Sequence, residues 1–230
     1  MAKFLIFRTD RIGDFITSQL VTNSISEKSK KNQVDVVASR YNSKYIKNFK
    51  YINRIFIFDK TKNKILDFFN LFLQIKNKNY DYLIVLDGKR RSFLSGIFIN
   101  SKIKICFLKD FYPKLLISLF YHKYIKNTET NTQHKNFQIL INYLDIKSPK
   151  HVNYYKNYNF AKKKFILHKP YVHLHLDEKW FKDYYFHDFD YMNLKPDSIY
   201  IFLKSLIKKF KCNIIITQGY KKVAIMNEFK

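Results

Sequence analysis

Glycine is nearly missing from this chain, with four among 230 residues, and cysteine occurs only twice. Cys106 and Cys212 stand far apart, which excludes a CxxC metal or redox motif and suits a reducing compartment. No apolar run approaches the roughly 18 residues of a membrane span, and Arg8 interrupts the first apolar run too early for a secretory signal. These absences predict a cytoplasmic protein. GxGxxG, P-loop, GxSxG and HExxH patterns are all missing, so nicotinamide, kinase and common hydrolase readings lose their support. Arginine is also scarce: of 43 basic residues only six are arginine, namely Arg8, Arg11, Arg40, Arg54, Arg90 and Arg91.

What is abundant is lysine, set among asparagine, isoleucine and phenylalanine, as an AT-rich coding sequence produces. The net charge of +25 predicts attraction to nucleic acid or anionic lipid at low salt. It is weaker evidence for a polyanion partner than its size suggests, because the lysine bias follows composition. The arginines carry more information. Four of the six flank two predicted strand ends, beside Gly13 and Gly88, where a planar guanidinium suits phosphate or acidic sugar.

The chain is organised around KFLIFRTDRIGDFITSQLV, Lys3 to Val21. Phe4 to Phe7 is an unbroken apolar run, as expected of a strand covered on both faces in a parallel sheet. Asp14 opens a helix whose Phe15, Ile16, Leu20 and Val21 recur at helical spacing. One carboxylate and two arginines therefore stand at the carboxyl end of a central strand, where open α/β sheets bind ligands. The plainer reading is that Asp14 only caps its helix, worth about 1 kcal/mol.

Further strands are expected at 33–39, 55–58, 82–86 and 103–107, with helices between them, the pattern of a doubly wound sheet. The apolar stripe of 65–75 reads as core packing. Asp87-Gly88-Lys89-Arg90-Arg91-Ser92 repeats the first turn's logic: a strand ends, a glycine follows, then basic residues and a helix. Phe111 to Lys126, aromatic and fringed with lysine, reads either as a core helix with snorkelling lysines or as a segment lying on an anionic membrane surface. Residues 145–169 turn polar between Pro149 and Pro170 and read as an interdomain connection. A second βα series starts at Tyr171 to Leu176, continues with a helix from Pro196, and ends with a strand at 213–218 closed by Gly219.

R-T-D-R-I-G-D-F, residues 8–15, resembles the N-terminal signature of the family 9 glycosyltransferases, the lipopolysaccharide heptosyltransferases. The resemblance implies an α/β fold of two Rossmann-like domains, GT-B type, with residues 1–150 on the acceptor side, 151–169 as linker, and 170–230 as the start of a nucleotide-sugar domain. It implies inverting transfer of a heptose-like sugar from a nucleotide-sugar donor to a lipopolysaccharide-core or related glycan acceptor, without a metal cofactor. Asp14 falls on the proposed catalytic base. Arg8, Arg11, Gly13, Gly88 and Arg91 fall on the acceptor side, because D-G-K-R-R-S resembles the family's second motif. Lys179, before Trp180, matches a lysine that meets the donor diphosphate, although the family has a longer stretch between its histidine and that lysine; Gly219 joins it on the donor side. The family's D-T-G or D-S-G motif with its downstream histidine is absent, and only two or three of about five or six strands of a second half can be placed before Lys230. The second domain is therefore expected to be incomplete, the chain truncated at its C-terminal side, and donor binding weak.

Three rival signals remain. Asp188-Phe189-Asp190 spells the DxD by which transferases of another fold hold a divalent cation, but no clean apolar strand precedes it. His173 and His175 share a strand face without a third ligand nearby, so a structural or donor-loop role is expected rather than zinc. A catalytically silent glycan-binding or nucleotide-binding chain, or a basic nucleic-acid binder, are the alternatives from other classes; no nucleic acid is expected as partner of a sugar transferase.

Overall fold

The computed structural model describes residues 1–59, 63–108, 114–126, 132–148, 170–176 and 196–218. The chain divides into two units, Met1–Lys156 and Asn157–Lys230.

In the first unit the elements follow as β1 (Lys3–Arg8), α1 (Ile12–Lys28), β2 (Gln33–Ala38), α2 (Arg40–Ile46), β3 (Ile52–Ile57), α3 (Lys64–Ile75), β4 (Tyr80–Val85), α4 (Arg90–Phe98), β5 (Ser101–Leu108), α5 (Lys114–Phe120), β6 (Lys123–Lys126) and α6 (Gln133–Tyr143). The six strands form one parallel sheet in the order β3-β2-β1-β4-β5-β6. β1 explains why it sits at the centre. Side chains alternate across a strand, so Phe4 and Ile6 enter one core with Phe15, Val21 and Ile25 of α1, Ile46 of α2 and Phe137 of α6. Leu5 and Phe7 enter the opposite core with Leu71 and Ile75 of α3, Phe93 of α4 and Ile117 of α5. An apolar run without alternation is thus what a strand sandwiched between helical layers requires.

Short polar side chains start the helices. Ser39 accepts from Asn42 N, Asn63 from Leu66 N and Thr132 from Lys135 N, each satisfying an otherwise orphaned donor. Helix ends show the shortage of glycine: Asp145 (φ 51°) and Lys211 (φ 46°) occupy the left-handed conformation that glycine usually takes there.

Two sequence expectations change. Phe111 to Lys126 is not one helix. Its described part is the seven-residue α5 followed by β6, which pairs with β5 (Ile105 with Lys123, Phe107 with Ile125), and only Ile125 of β6 is buried. An edge strand with one apolar contact to the core tolerates lysines on its other positions, and in sequence that pattern resembles a core helix fringed with snorkelling lysines. The α3 stripe is not all core either: Leu71 and Ile75 are buried, whereas Ile65, Leu66, Phe69 and Leu73 are exposed.

The second unit pairs β7 (Tyr171–Leu176) in parallel with β8 (Asn213–Gln218), and α7 (Pro196–Phe210) lies between them in sequence. Ile199 and Leu203 of α7 pack on Leu174, Ile214 and Ile216. Its described residues form one βαβ unit. The 151–169 connection lies outside the described residues.

Candidate active site

β1 continues through α1 to β2 on one side, and β4 continues through α4 to β5 on the other. Neighbouring strands whose connections depart in opposite directions leave a crevice at their carboxyl ends, and that is where open α/β sheets take ligands. Here the crevice lies between β1 and β4, floored by the loops Thr9–Arg11 and Asp87–Lys89.

Asp87 joins the two loops. Its Oδ2 accepts from Thr9 N (3.2 Å), Thr9 Oγ1 (2.6 Å) and Ser92 Oγ (2.7 Å), while Oδ1 accepts from Lys89 N (3.1 Å). A carboxylate with four donors is a fixed strut. Gly88 turns between it and α4 with φ 59°, a conformation that a side chain would strain. Lys89 Nζ lies 3.5 Å from Thr9 Oγ1, and burial, with Arg91 nearby, pulls its pKa below the usual lysine value against Asp87 and Asp10.

Arg8, expected on the acceptor side, is turned inward. Its residue is only 2% exposed; Nε and Nη2 donate to Asp14 O at 2.9 and 2.7 Å, Nη1 donates to Leu86 O at 2.9 Å, and Nη1 pairs with Asp10 Oδ2 at 3.2 Å. Strand β1 ends against α1 and the β4 end, so the first residue past its apolar run points into the junction rather than out of it. Asn42 Nδ2 holds the Arg8 carbonyl from α2 at 2.7 Å.

Asp10 is the titratable group that the sequence reading did not single out. Burial raises its pKa to about 6, with Asp87 and Asp14 adding to the rise and Arg8 and Lys89 opposing it. Its Oδ1 is buried without a hydrogen-bond partner. The signal was present: R-T-D-R places a second acid beside the first arginine, at the strand end.

Asp14 stands in the first turn of α1, half-exposed at the rim. Its Oδ2 accepts Arg11 N at 3.1 Å, so it does cap the helix; among the described residues no hydrogen bond engages Oδ1. Arg11, at the N-cap, is exposed. Gly13 is exposed too, and a methyl group placed on it would meet no atom of the described residues within 4 Å, so their packing does not require a glycine there. Arg91 is half-buried with its guanidinium 4.8 Å above the Phe58 ring. The rim thus gathers Arg8, Arg11, Gly13, Asp14 and Gly88, Asp87 and Lys89 of the D-G-K-R-R-S turn, and Thr9 and Asp10, which the sequence did not single out, with Arg91 beside it.

The predicted donor residues Lys179 and Gly219, and the DxD at 188–190, lie outside the described residues. His173 Nε2 and His175 Nδ1 both contact Thr217 Oγ1, at 2.8 and 2.9 Å across the β7/β8 pair. Among the described residues no three His, Cys, Asp or Glu side chains come together to hold a metal. Concavities of about 580 Å³ along edge strand β6 and about 410 Å³ at the amino end of the sheet lie elsewhere; neither contains a rim residue.

Solved structures superpose on this arrangement. A family 9 glycosyltransferase from Veillonella parvula matches with a TM-score of 0.64 at 14% identity, over 96% of this chain and 70% of that one. The E. coli ADP-heptose lipopolysaccharide heptosyltransferase II matches with 0.67 at 13% identity, over 99% and 67%. The chain has the fold of these transferases. E. coli heptosyltransferase WaaC, solved with ADP-2-deoxy-2-fluoro heptose, gives 0.60 at 15% identity, over 94% and 69%. No protein-family model and no curated protein sequence matches the chain. At these identities the likeness carries the Rossmann-like α/β fold and not the chemistry.

Proposed function

We propose that this chain is an inverting glycosyltransferase, moving a heptose-like sugar from a nucleotide-sugar donor to a lipopolysaccharide-core or related glycan acceptor. The observation that carries the reading is the Asp14 carboxylate at the β1/β4 switch point, with one oxygen held by the Arg11 N–H and the other without a hydrogen bond among the described residues. Inversion needs a single in-line displacement. Asp14 Oδ1 takes the proton of the acceptor hydroxyl as that oxygen attacks the anomeric carbon, and the nucleoside diphosphate departs on the opposite side.

Arg11 and Arg91 meet an acidic or phosphorylated acceptor; Arg8 acts at one remove, by fixing the backbone of Asp14. Gly13, which leaves space beside Asp14, lets the acceptor approach the helix. The departing diphosphate is met by Lys179 and by helix N-termini, with Gly219 on the same donor side and no metal required. Support for the donor class comes from the ADP-heptose and ADP-2-deoxy-2-fluoro heptose named with the superposing E. coli enzymes.

The test is transfer or hydrolysis assayed with ADP-heptose and other nucleotide sugars. Asp14→Asn keeps an oxygen for the Arg11 N–H and should lower turnover about 10²–10⁴-fold while leaving stability within about 1 kcal/mol. Unchanged turnover removes Asp14 from the reaction, and no turnover with any nucleotide sugar overturns the transferase reading itself.

A further inference from the structure

Asp10 lies too deep to meet an acceptor itself. Its Oδ1 is buried without a hydrogen-bond partner among the described residues, and its Oδ2 faces Arg8 Nη1 at 3.2 Å. Asp14, by contrast, stands half-exposed at the rim. The two acids are joined through Arg8: the guanidinium that meets Asp10 on one side gives Nε and Nη2 to the Asp14 carbonyl on the other. That carbonyl belongs to the first turn of α1, the same turn in which Asp14 Oδ2 accepts the Arg11 N–H. The seat of Arg8 therefore bears on where the Asp14 carboxyl points.

Arg8 is enclosed, and among the described residues Asp10 is the only carboxylate in ion-pair contact with it. Neutral Asp10 leaves that guanidinium without its counter-ion, which draws it toward water and loosens its grip on the Asp14 carbonyl. The surroundings decide when this happens. Burial is the largest influence and disfavours charge on Asp10; Arg8 of β1 favours it, Asp87 of the loop after β4 and Asp14 of α1 disfavour it, and Lys89 of the same loop favours it. Ser39 Oγ, at the start of α2, lies 3.5 Å from the Asp10 carbonyl, and the Phe137 ring of α6 lies 6.0 Å from the Arg8 guanidinium; neither adds a charge.

We propose that Asp10 is a positioning residue for Asp14: ionised, it anchors the Arg8 fork that fixes the first turn of α1, and protonated, it lets that turn drift. The inference rests on the reading of Asp14 as the base, and adds to it a second acid that never touches the acceptor. Asp14 must be ionised to take a proton; Asp10 must be ionised as well, although it takes none. The ionised form of Asp10 is the less stable one in the fold, so the anchor is held at a cost in stability, a trade that active sites make. Geometry is what it secures, and a displacement of about 1 Å at a reacting group is worth about 100-fold in rate.

Two measurements on the whole chain test it, one of which needs no turnover. With its six arginines isotope-labelled for nuclear magnetic resonance, the Arg8 Nε–H and the Arg11 N–H should shift together with a midpoint near pH 6, and Asp10→Asn should abolish both shifts. In transfer assays the wild-type kcat should fall about tenfold from pH 7 to pH 5, as one group titrating midway requires, with KM for the acceptor changed less than about twofold. Asp10→Asn should lower kcat at pH 7 about 10–100-fold and lose that fall with pH. Urea unfolding checks that the variant is folded, and the wild-type titrations stand without it. A residue that only supports the fold would leave the wild-type kcat flat across this range. Asp10→Asn with kcat within about twofold of wild type, beside an inactive Asp14→Asn, overturns the proposal and leaves the transferase reading intact. If no nucleotide sugar turns over, that reading fails and the resonances decide: shifts that are absent near pH 6, or that persist in Asp10→Asn, overturn the anchoring.

Discussion

Arg8 holds Asp14 by its backbone: Nε and Nη2 both donate to the Asp14 carbonyl oxygen, at 2.9 and 2.7 Å, from a guanidinium enclosed beneath the rim. The same side chain reaches Leu86 O at the end of β4 and Asp10 Oδ2 in the loop above. Strand β1, helix α1 and strand β4 thus meet on one planar fork. Lysine has no such fork, and alanine leaves two carbonyls and a buried carboxylate without their donor. Arg8→Ala should lower unfolding free energy by about 3–5 kcal/mol. Urea denaturation measures it, and a loss under about 1 kcal/mol would show that the enclosed guanidinium does not hold the junction.

Asp10 sets a pH dependence whose sign follows from its raised pKa. The folded chain binds the proton up to about pH 6, whereas the unfolded chain releases it near 3.8. The native state therefore carries more protons between those values, and this group's contribution to stability falls as pH rises through that window, then stays flat above it. The size is about 3 kcal/mol. Asp10→Asn removes the term, so the stability of the variant relative to wild type should rise between pH 4 and pH 7. Urea midpoints at the two pH values give the difference, and a difference that does not change with pH denies the raised pKa.

The first turn and the sheet were legible because each rests on local pattern. Phe4 to Phe7 suits a doubly covered strand, and the acid, glycine and basic residues after two strands mark the crevice from sequence alone. Direction was not legible. Nothing in R-T-D-R says that the first arginine turns into the junction and the second turns out, since that follows from where α1 and β4 pack. Asp10 was missed for the same reason: its proton affinity comes from burial among groups 77 residues away in sequence, such as Asp87. The α3 stripe misled because exposed and buried apolar side chains look alike along a helix, and β6 misled because an edge strand needs few apolar residues.

Asp145 offers a stability test away from the site. Its φ of 51° lets Ile146 N reach Ile141 O at 3.0 Å and closes α6, while Lys28 Nζ donates to the Leu144 and Asp145 carbonyls from α1. None of these bonds uses the aspartate side chain. Asp145→Gly keeps them and relieves a left-handed residue of its Cβ, so thermal unfolding should show a gain of about 0.5–1 kcal/mol. A loss would mean that the carboxylate has a role that its backbone bonds do not reveal.

Gly13 and Gly88 should answer alanine in opposite ways. Gly88 has φ 59°, so Gly88→Ala strains the turn below α4 and should cost about 1–2 kcal/mol. Gly13 lies inside the first turn of α1 with open space around it, and there alanine favours the helix by about 0.5–1 kcal/mol. If the space over Gly13 admits an acceptor to Asp14, Gly13→Ala stabilises the chain and still raises KM for that acceptor, a combination that no packing role produces. Gain in stability with unchanged kinetics would instead place the acceptor elsewhere on the rim, nearer Arg91, and Arg91→Ala would then show the larger rise in KM.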